Sequence, residues 1–157
     1  MKSILIILSI LVISGPIYAA KAPAKKTKLV RLQFSEDFIL QQVLLKKNLS
    51  FRPDIPKPKL HVESKTKLVY FQEAMLPQWG FKPDVFTNAF AVARNEIFLS
   101  DGAAFYKKHK RCIDDSMAHE LTHYVQAKYQ GFDLNDESLE FDAIDVQTWF
   151  RETHCKL

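Results

Sequence analysis

The sequence predicts a single α+β domain in which a small mixed sheet or β-hairpin packs against helices. Three observations support this class. Strand-like segments at Ala89–Ala93 and Glu96–Leu99 flank a short turn, and two later segments repeat apolar residues at helical spacing. After removal of a leading apolar segment, about 137 residues remain, which suits one domain with one hydrophobic core.

The first twenty residues have the layout of a secretory signal peptide. Lys2 precedes an apolar run from Ile4 to Ile13, and the small residues Ala19 and Ala20 follow. A bilayer-spanning helix needs about 20 apolar residues, so this run is too short to be one. We therefore expect cleavage near Ala19 or Ala20 and a periplasmic or secreted protein, with an uncleaved anchor as the alternative.

Positive charge is concentrated directly after this segment. The chain has 22 Lys and Arg against 18 Asp and Glu, a net charge of +4, and residues 21–34 open with KAPAKKTKLVR. We expect a flexible, solvated segment; the alternative is weak association with anionic membrane or cell-wall polymer. Export and the lack of a basic stripe interleaved with aromatic residues argue against nucleic acid as a partner. The oligomeric state is not indicated.

The first half of the domain, which we assign to residues 35–157, alternates helix and strand signals. SEDFILQQVLLKKNLS predicts a helix with Ser35 as its N-cap, and FRPDIPKPK predicts an extended connector because it holds three prolines. LHVES alternates like a short strand. KTKLVYFQEAM predicts a helix that ends before Pro77, and Arg94-Asn95 predicts the turn of the hairpin.

The second half is predicted to be mainly helical. GAAFYKKHK is helical or irregular, and DDSMAHELTHYVQAKYQG is a helix capped by its first acidic residues or Ser116 and ended by Gly131. The last helix, DESLEFDAIDVQTWFRETH, is capped by Asn135 or Asp136. Both helices carry apolar stripes: Ala118, Leu121, Thr122 and Val125 on the first, and Leu139, Ala143, Val146 and Phe150 on the second.

The chain has two cysteines, Cys112 and Cys155. In an exported protein an isolated pair most simply forms one disulfide bond, which would join the start of one predicted helix to the end of the other. Two unpaired buried thiols are the alternative.

The segment HELTH carries the strongest chemical signal. His119 and His123 are four residues apart, so both imidazoles project from one helix face and two ring nitrogens reach one Zn²⁺. Glu120 is rotated by about 100° from His119 and is placed to take a proton from a metal-bound water. The alternative is two surface histidines and a glutamate on a solvated helix. A carboxylate in ESLEFDAIDVQ would complete a three-ligand set.

HELTHYVQ followed by LEFDA resembles the gluzincin class of zinc metallopeptidases, and its short single-domain members (minigluzincins) in particular. The resemblance spans about residues 89–150 and implies a zincin-like fold. It implies one Zn²⁺ held by His119, His123 and Glu140, with Glu120 as general base and a peptide or protein as substrate. Glu140 stands in an E-x-x-A context, as in several gluzincins. The class also implies an edge strand above the site, for which NEIFLSD is the candidate.

Two positions depart from the gluzincin pattern. Many relatives place an aspartate four residues after the ligand glutamate, where this chain has Ile144, so Asp142 remains a rival to Glu140 as the third ligand. Relatives also supply a side chain that stabilises the oxyanion, and the sequence does not choose among Tyr106, Tyr129, Arg151 and His154. Gln126 lies on the face of His119, near the metal or in solvent. His61 and His109 have no partner spacing and are expected to be ordinary residues.

The resemblance implies an exported zinc metalloendopeptidase that hydrolyses peptide bonds with a metal-activated water. Two other hypotheses stay open. One is a non-catalytic periplasmic module that keeps the zinc site, and the other is an envelope-binding protein that acts through its basic segment.

Overall fold

The computed structural model describes residues 28–156, so the expected signal peptide and the start of the basic segment lie outside the described residues. The fold is α+β, as predicted. In chain order the elements are α1 Glu36–Lys46, β1 Lys59–Val62, α2 Leu68–Trp79, β2 Ala89–Ala91, β3 Glu96–Leu99, α3 Ala103–His109, α4 Ile113–Lys128 and α5 Ser138–His154.

The sheet is mixed and has three strands in the order β1-β3-β2. β1 runs parallel to β3, and β2 pairs antiparallel with β3, so that Phe90 lies opposite Ile97. The turn at Arg94-Asn95 is as predicted, and Asn95 has a positive φ of 53°. Asparagine tolerates this left-handed conformation better than most residues, which explains its place in the turn.

Helix α4 forms the centre of the domain. It packs against α1 and α5 and against strands β2 and β3. Leu121, Tyr124 and Val125 are each no more than 1% exposed and belong to the main core cluster with residues of α1, β3 and α5. The predicted stripe of α4 therefore does face the core, and it fixes the orientation of the remaining helix faces.

The N-cap of α4 is Cys112, not an acidic residue or Ser116. Its sulfur accepts the backbone N–H of Asp115, whose carboxylate accepts the backbone N–H of Cys112 in return. Cys112 is also joined to Cys155 as predicted, with 6.2 Å between their Cα atoms. Asp114 and Asp115 lie in the first turn as expected, and Asp115 completes the cap from the N3 position.

Helix α2 runs through Pro77 to Trp79 instead of ending before the proline. Pro77 lies in the last turn, and Gly80, with a φ of 74°, closes the helix by donating its N–H to the Leu76 carbonyl. A proline removes one helical hydrogen bond, which is a small loss at the end of a helix. This extension matters because Gln78 and Trp79 reach the candidate site.

Residues 28–34, which we expected to be flexible, are instead hydrogen-bonded to the domain. Val30 donates its N–H to the Asp101 carbonyl at 2.9 Å. The backbone N–H groups of Gln33 and Phe34 both donate to the buried carboxylate of Asp114, at 2.8 and 2.9 Å. None of the helices in the described range, 28–156, is long and apolar enough to cross a membrane.

Candidate metal site

Helix α4 presents two histidines on the face that turns away from its core stripe. The side chains of His119 and His123 are 14% and 16% exposed, and their Nε2 atoms are 3.1 Å apart. The four-residue spacing places the two rings one helical turn apart on the same face. Two nitrogen donors therefore point at one place.

Helix α5 adds a carboxylate to this pair. The Oε1 atom of Glu140 lies 3.2 Å from His119 Nε2, and its Oε2 atom lies 3.1 Å from His123 Nε2. The side chain of Glu140 is 51% exposed, so the cluster is closed by protein on the histidine side and open on the carboxylate side. One donor atom from each of the three residues lies within 4.8 Å of the others.

The donor set and its spacing suit a single divalent ion. With bonds of about 2.0–2.1 Å, the ligands of a tetrahedral Zn²⁺ lie about 3.3–3.4 Å apart. The three separations of 3.1–3.2 Å are close to this value. Two imidazoles and one carboxylate also leave the fourth position of a tetrahedron open. The geometry therefore accommodates a metal centre with a position for water or substrate.

A second group of possible ligands, Cys112, Asp115 and Cys155, does not offer such a site. The two sulfurs are bonded to each other, and a thiolate is the form of cysteine that binds metal. Asp115 is fully buried and accepts hydrogen bonds from Arg111 and Gln147. This group is a structural junction between α4 and α5.

The three residues open into a cavity of about 270 Å³, which we call the site cavity. Glu120 also lines it and is 4% exposed. The other lining residues come from α2, β2 and the loop before α5: Gln78, Trp79, Asn88, Ala89, Phe90 and Leu134. The predicted general base and the candidate ligands therefore share one space.

Burial shifts the pKa values of two of these groups in opposite directions. The pKa of Glu120 is raised to about 8, mainly because burial penalises its charged form and secondly because the Glu140 carboxylate is near. The pKa of His119 is lowered to about 3, chiefly by burial and then by His123 and Arg111. At neutral pH, His119 is therefore a neutral imidazole, which is the form that binds metal.

These shifts predict that the metal-free protein loses stability above pH 6.5. Between pH 4.5 and about 8, folded Glu120 holds a proton that the unfolded chain releases, so the free energy of unfolding falls as pH rises. Between pH about 3 and 6.5, His119 is unprotonated in the folded protein and protonated in the unfolded chain. The free energy of unfolding therefore rises with pH in this range. The two effects on the free energy of unfolding offset each other below pH 6.5. Above pH 6.5 only the effect of Glu120 remains.

Urea unfolding of chelator-treated protein at pH 5.5, 7 and 8.5 measures this slope, with an upper limit of about 1.4 kcal/mol per pH unit. The same series on Glu120→Gln is the control, since the amide does not titrate. Equal pH dependence in the two proteins would contradict the shift assigned to Glu120.

The structure separates Asp142 from the candidate ligands. Its carboxylate accepts hydrogen bonds from Gln126 Nε2 at 2.8 Å and from Lys47 Nζ at 2.5 Å. Gln126 is fully buried, not solvated, and its Oε1 lies 2.9 Å from His123 Nδ1. Asp142 thus touches the site through Gln126, while Glu140 reaches the histidines directly.

None of the four residues considered for oxyanion stabilisation lines the site cavity. The Tyr106 hydroxyl donates to the Ser100 carbonyl, and the Tyr129 hydroxyl accepts the backbone N–H of Arg52. Arg151 contacts Thr148, and the His154 ring packs on Phe150. The polar side chains that do line the cavity, beyond the predicted set, are Gln78 and Asn88. Neither residue was expected there, because no motif links α2 or the residue before β2 to the HELTH segment.

The prediction that NEIFLSD supplies an edge strand is wrong. Its residues 96–99 form β3, which is the central strand and pairs on both sides. The strand beside the site is β2, whose Ala89 and Phe90 line the cavity. Within residues 28–156, β2 pairs with no strand other than β3, and its three residues are no more than 5% exposed.

Comparisons with known proteins add no family to this description. No family model, no curated protein and no solved structure matches the chain.

Proposed function

We propose that this protein is an exported, zinc-dependent metallopeptidase of the gluzincin type, with a zincin-like fold. One observation carries the proposal: two imidazole nitrogens and a carboxylate converge at 3.1–3.2 Å beside a buried glutamate in an open cavity. The disulfide bond between Cys112 and Cys155 is compatible with an oxidising compartment outside the cytoplasm.

His119, His123 and Glu140 would hold the ion. When bound, Zn²⁺ acts as a Lewis acid and lowers the pKa of a bound water to about 7. The two histidines supply neutral donors from the rigid helix α4, and Glu140 supplies one negative charge from α5. This combination leaves net positive charge at the site, which suits a carbonyl oxygen that becomes negative during hydrolysis.

Glu120 would act as the general base. It follows His119 directly on α4, so it lines the cavity without joining the ligand set. Its pKa of about 8 describes the site without a cation, and a positive charge beside the carboxylate favours its ionised form. Ionised Glu120 takes the proton of the attacking water and passes it to the leaving amine.

The substrate would bind as an extended peptide along β2. In the part of the chain that the structure describes, this strand pairs on one side only, and Ala89 and Phe90 line the cavity next to the histidines. A peptide that adds to the edge gains main-chain hydrogen bonds and lies across the proposed zinc ligands. Trp79 and Leu134 form apolar parts of the wall and would contact its side chains.

Elemental analysis of the purified protein tests the metal site. After saturation with zinc and removal of free ion, wild type should retain about one zinc per chain, as expected of a structural or catalytic mononuclear site. His119→Ala and Glu140→Ala remove one of three ligands and should lose most of it. Asp145→Ala is the matched control, because this carboxylate lies on the same helix but pairs with Lys46.

A wild-type protein without zinc, or a Glu140→Ala variant that binds as tightly as the control, would contradict the proposed ligand set. The first result would leave the envelope-binding hypothesis as the better explanation.

A further inference from the structure

We propose that Gln126, Asp142 and Lys47 form a positioning chain that holds His123 in the tautomer with its proton on Nδ1. In that tautomer the lone pair of His123 Nε2 points at Glu140 and His119, where the ion would bind. The significance of the chain rests on the proposed metal site, but its geometry does not.

The chain crosses three helices. Lys47, the C-cap residue of α1, donates to the Oδ2 atom of Asp142 on α5. Gln126 on α4 donates from Nε2 to the same oxygen at 2.8 Å and to the Leu139 carbonyl at 3.0 Å. Its Oε1 atom lies 2.9 Å from His123 Nδ1. The three contacts of Gln126 are within the normal range of a hydrogen bond.

The two contacts of Gln126 Nε2 fix the orientation of the amide. A carboxylate oxygen and a backbone carbonyl are both acceptors, so the group that faces them must be the NH₂. A flipped amide would place its oxygen against two acceptors in a fully buried position, leaving both without a donor. The carbonyl oxygen of Gln126 must therefore face His123.

The orientation of Gln126 in turn fixes the proton of His123. The Oε1 atom of an amide is only an acceptor, so Nδ1 has to carry a hydrogen in order to bond to it. In a neutral imidazole this leaves Nε2 unprotonated. The nitrogen that faces the other two candidate ligands is thus the one with a lone pair.

Lys47 completes the chain by keeping Asp142 an acceptor. The Lys47 side chain is 15% exposed, and its ammonium group contacts the same Asp142 oxygen that Gln126 contacts. An ammonium group can only donate, so the Oδ2 atom that it contacts is fixed as the acceptor that Gln126 Nε2 also uses.

The first histidine lacks a comparable support. His119 Nδ1 is buried and has no hydrogen-bond partner among residues 28–156. The position four residues after Glu140 holds the half-exposed Ile144, so this helix offers no carboxylate there. The orientation of the two imidazoles therefore depends mainly on the positioning chain of His123. Loss of this chain should weaken metal binding measurably.

Zinc affinity provides one test, measured by competition with a fluorescent chelator. Gln126→Leu removes the acceptor for His123 at similar volume, and we expect affinity to fall about 10- to 100-fold, as for outer-sphere partners of metal-binding histidines. Thr122→Val is the matched control: Thr122 is equally buried on α4, and its hydroxyl donates to the Ala118 carbonyl. Equal losses in the two variants would overturn the proposal.

A pair of lysine variants tests the Lys47 end of the positioning chain without changing a residue of the buried core. Lys46 and Lys47 each join α1 to α5 by an ion pair, Lys46 with Asp145 and Lys47 with Asp142. We expect Lys47→Met to lower zinc affinity about 10-fold and Lys46→Met to leave it within about twofold. Equal affinities for the two variants would remove Lys47 and Asp142 from the chain.

Nitrogen-15 NMR of the histidine rings in metal-free protein tests the tautomer without zinc. At pH 8, wild-type His123 should show a protonated Nδ1 and an unprotonated Nε2, and Gln126→Leu should show a mixture of tautomers. An Nε2–H tautomer in wild type would overturn the inference. If wild type shows the expected His123 tautomer but binds no zinc, the positioning chain is supported and the proposed function is refuted.

Discussion

Glu120→Gln is expected to bind zinc as wild type does and to hydrolyse peptides about 10²- to 10⁴-fold more slowly. The amide has the volume of the carboxylate and cannot take a proton from water. Glu120 is not one of the three residues whose donor atoms converge, so its substitution leaves the proposed ligand set intact. The loss should therefore appear in kcat and leave metal content unchanged.

Turnover of a broad peptide library and zinc content, measured on the same preparations, provide this test. Glu152→Gln is the matched control, since Glu152 is exposed in the last turn of α5, away from the site cavity. If Glu120→Gln cleaves as fast as the control, the proposed mechanism is wrong. If wild type binds zinc but cleaves no peptide in the library, the non-catalytic zinc module becomes the better hypothesis.

Removal of the disulfide bond is expected to cost about 2–4 kcal/mol in the free energy of unfolding. Cys112 and Cys155 are 43 residues apart in sequence, and the loop between them contains all of α4 and all of α5. Without the crosslink the unfolded chain gains conformational freedom, and this gain grows with the length of the loop. The effect is therefore large for a domain of this size.

The double variant Cys112→Ser/Cys155→Ser isolates the crosslink from the helix cap. Serine at position 112 still accepts the backbone N–H of Asp115, because serine is a strong N-cap residue. Urea unfolding of this variant should match that of reduced wild type and differ from oxidised wild type. A difference below about 1 kcal/mol between the oxidised and reduced proteins would show that the bond contributes little.

The helices and the hairpin were predictable because local pattern and tertiary environment agree there. The apolar stripe of α4 at Ala118, Leu121 and Val125 is buried as expected, and the turn of the hairpin holds an asparagine at positive φ. Helix geometry predicts that His119 and His123 lie together, whereas Glu140 was expected only from the resemblance to gluzincins, with Asp142 as its rival.

The rest depends on contacts between residues far apart in the chain. The central position of β3 in the described sheet follows from its parallel pairing with β1, and no local pattern of residues 96–99 records it. Gln78 lines the cavity only because α2 continues past Pro77. The role of Asp142 likewise depends on Lys47 and Gln126 from two other helices, so spacing alone left it as a rival ligand.

The unequal exposure of the three candidate ligands has a kinetic consequence. The two imidazoles are enclosed by protein, whereas half of the Glu140 side chain meets solvent. A small chelator can reach the carboxylate first, and rotation of this one side chain would open the coordination sphere while both nitrogens stay in place. Zinc release should then be stepwise, and its rate should depend on how readily the Glu140 side chain rotates away from the two histidines.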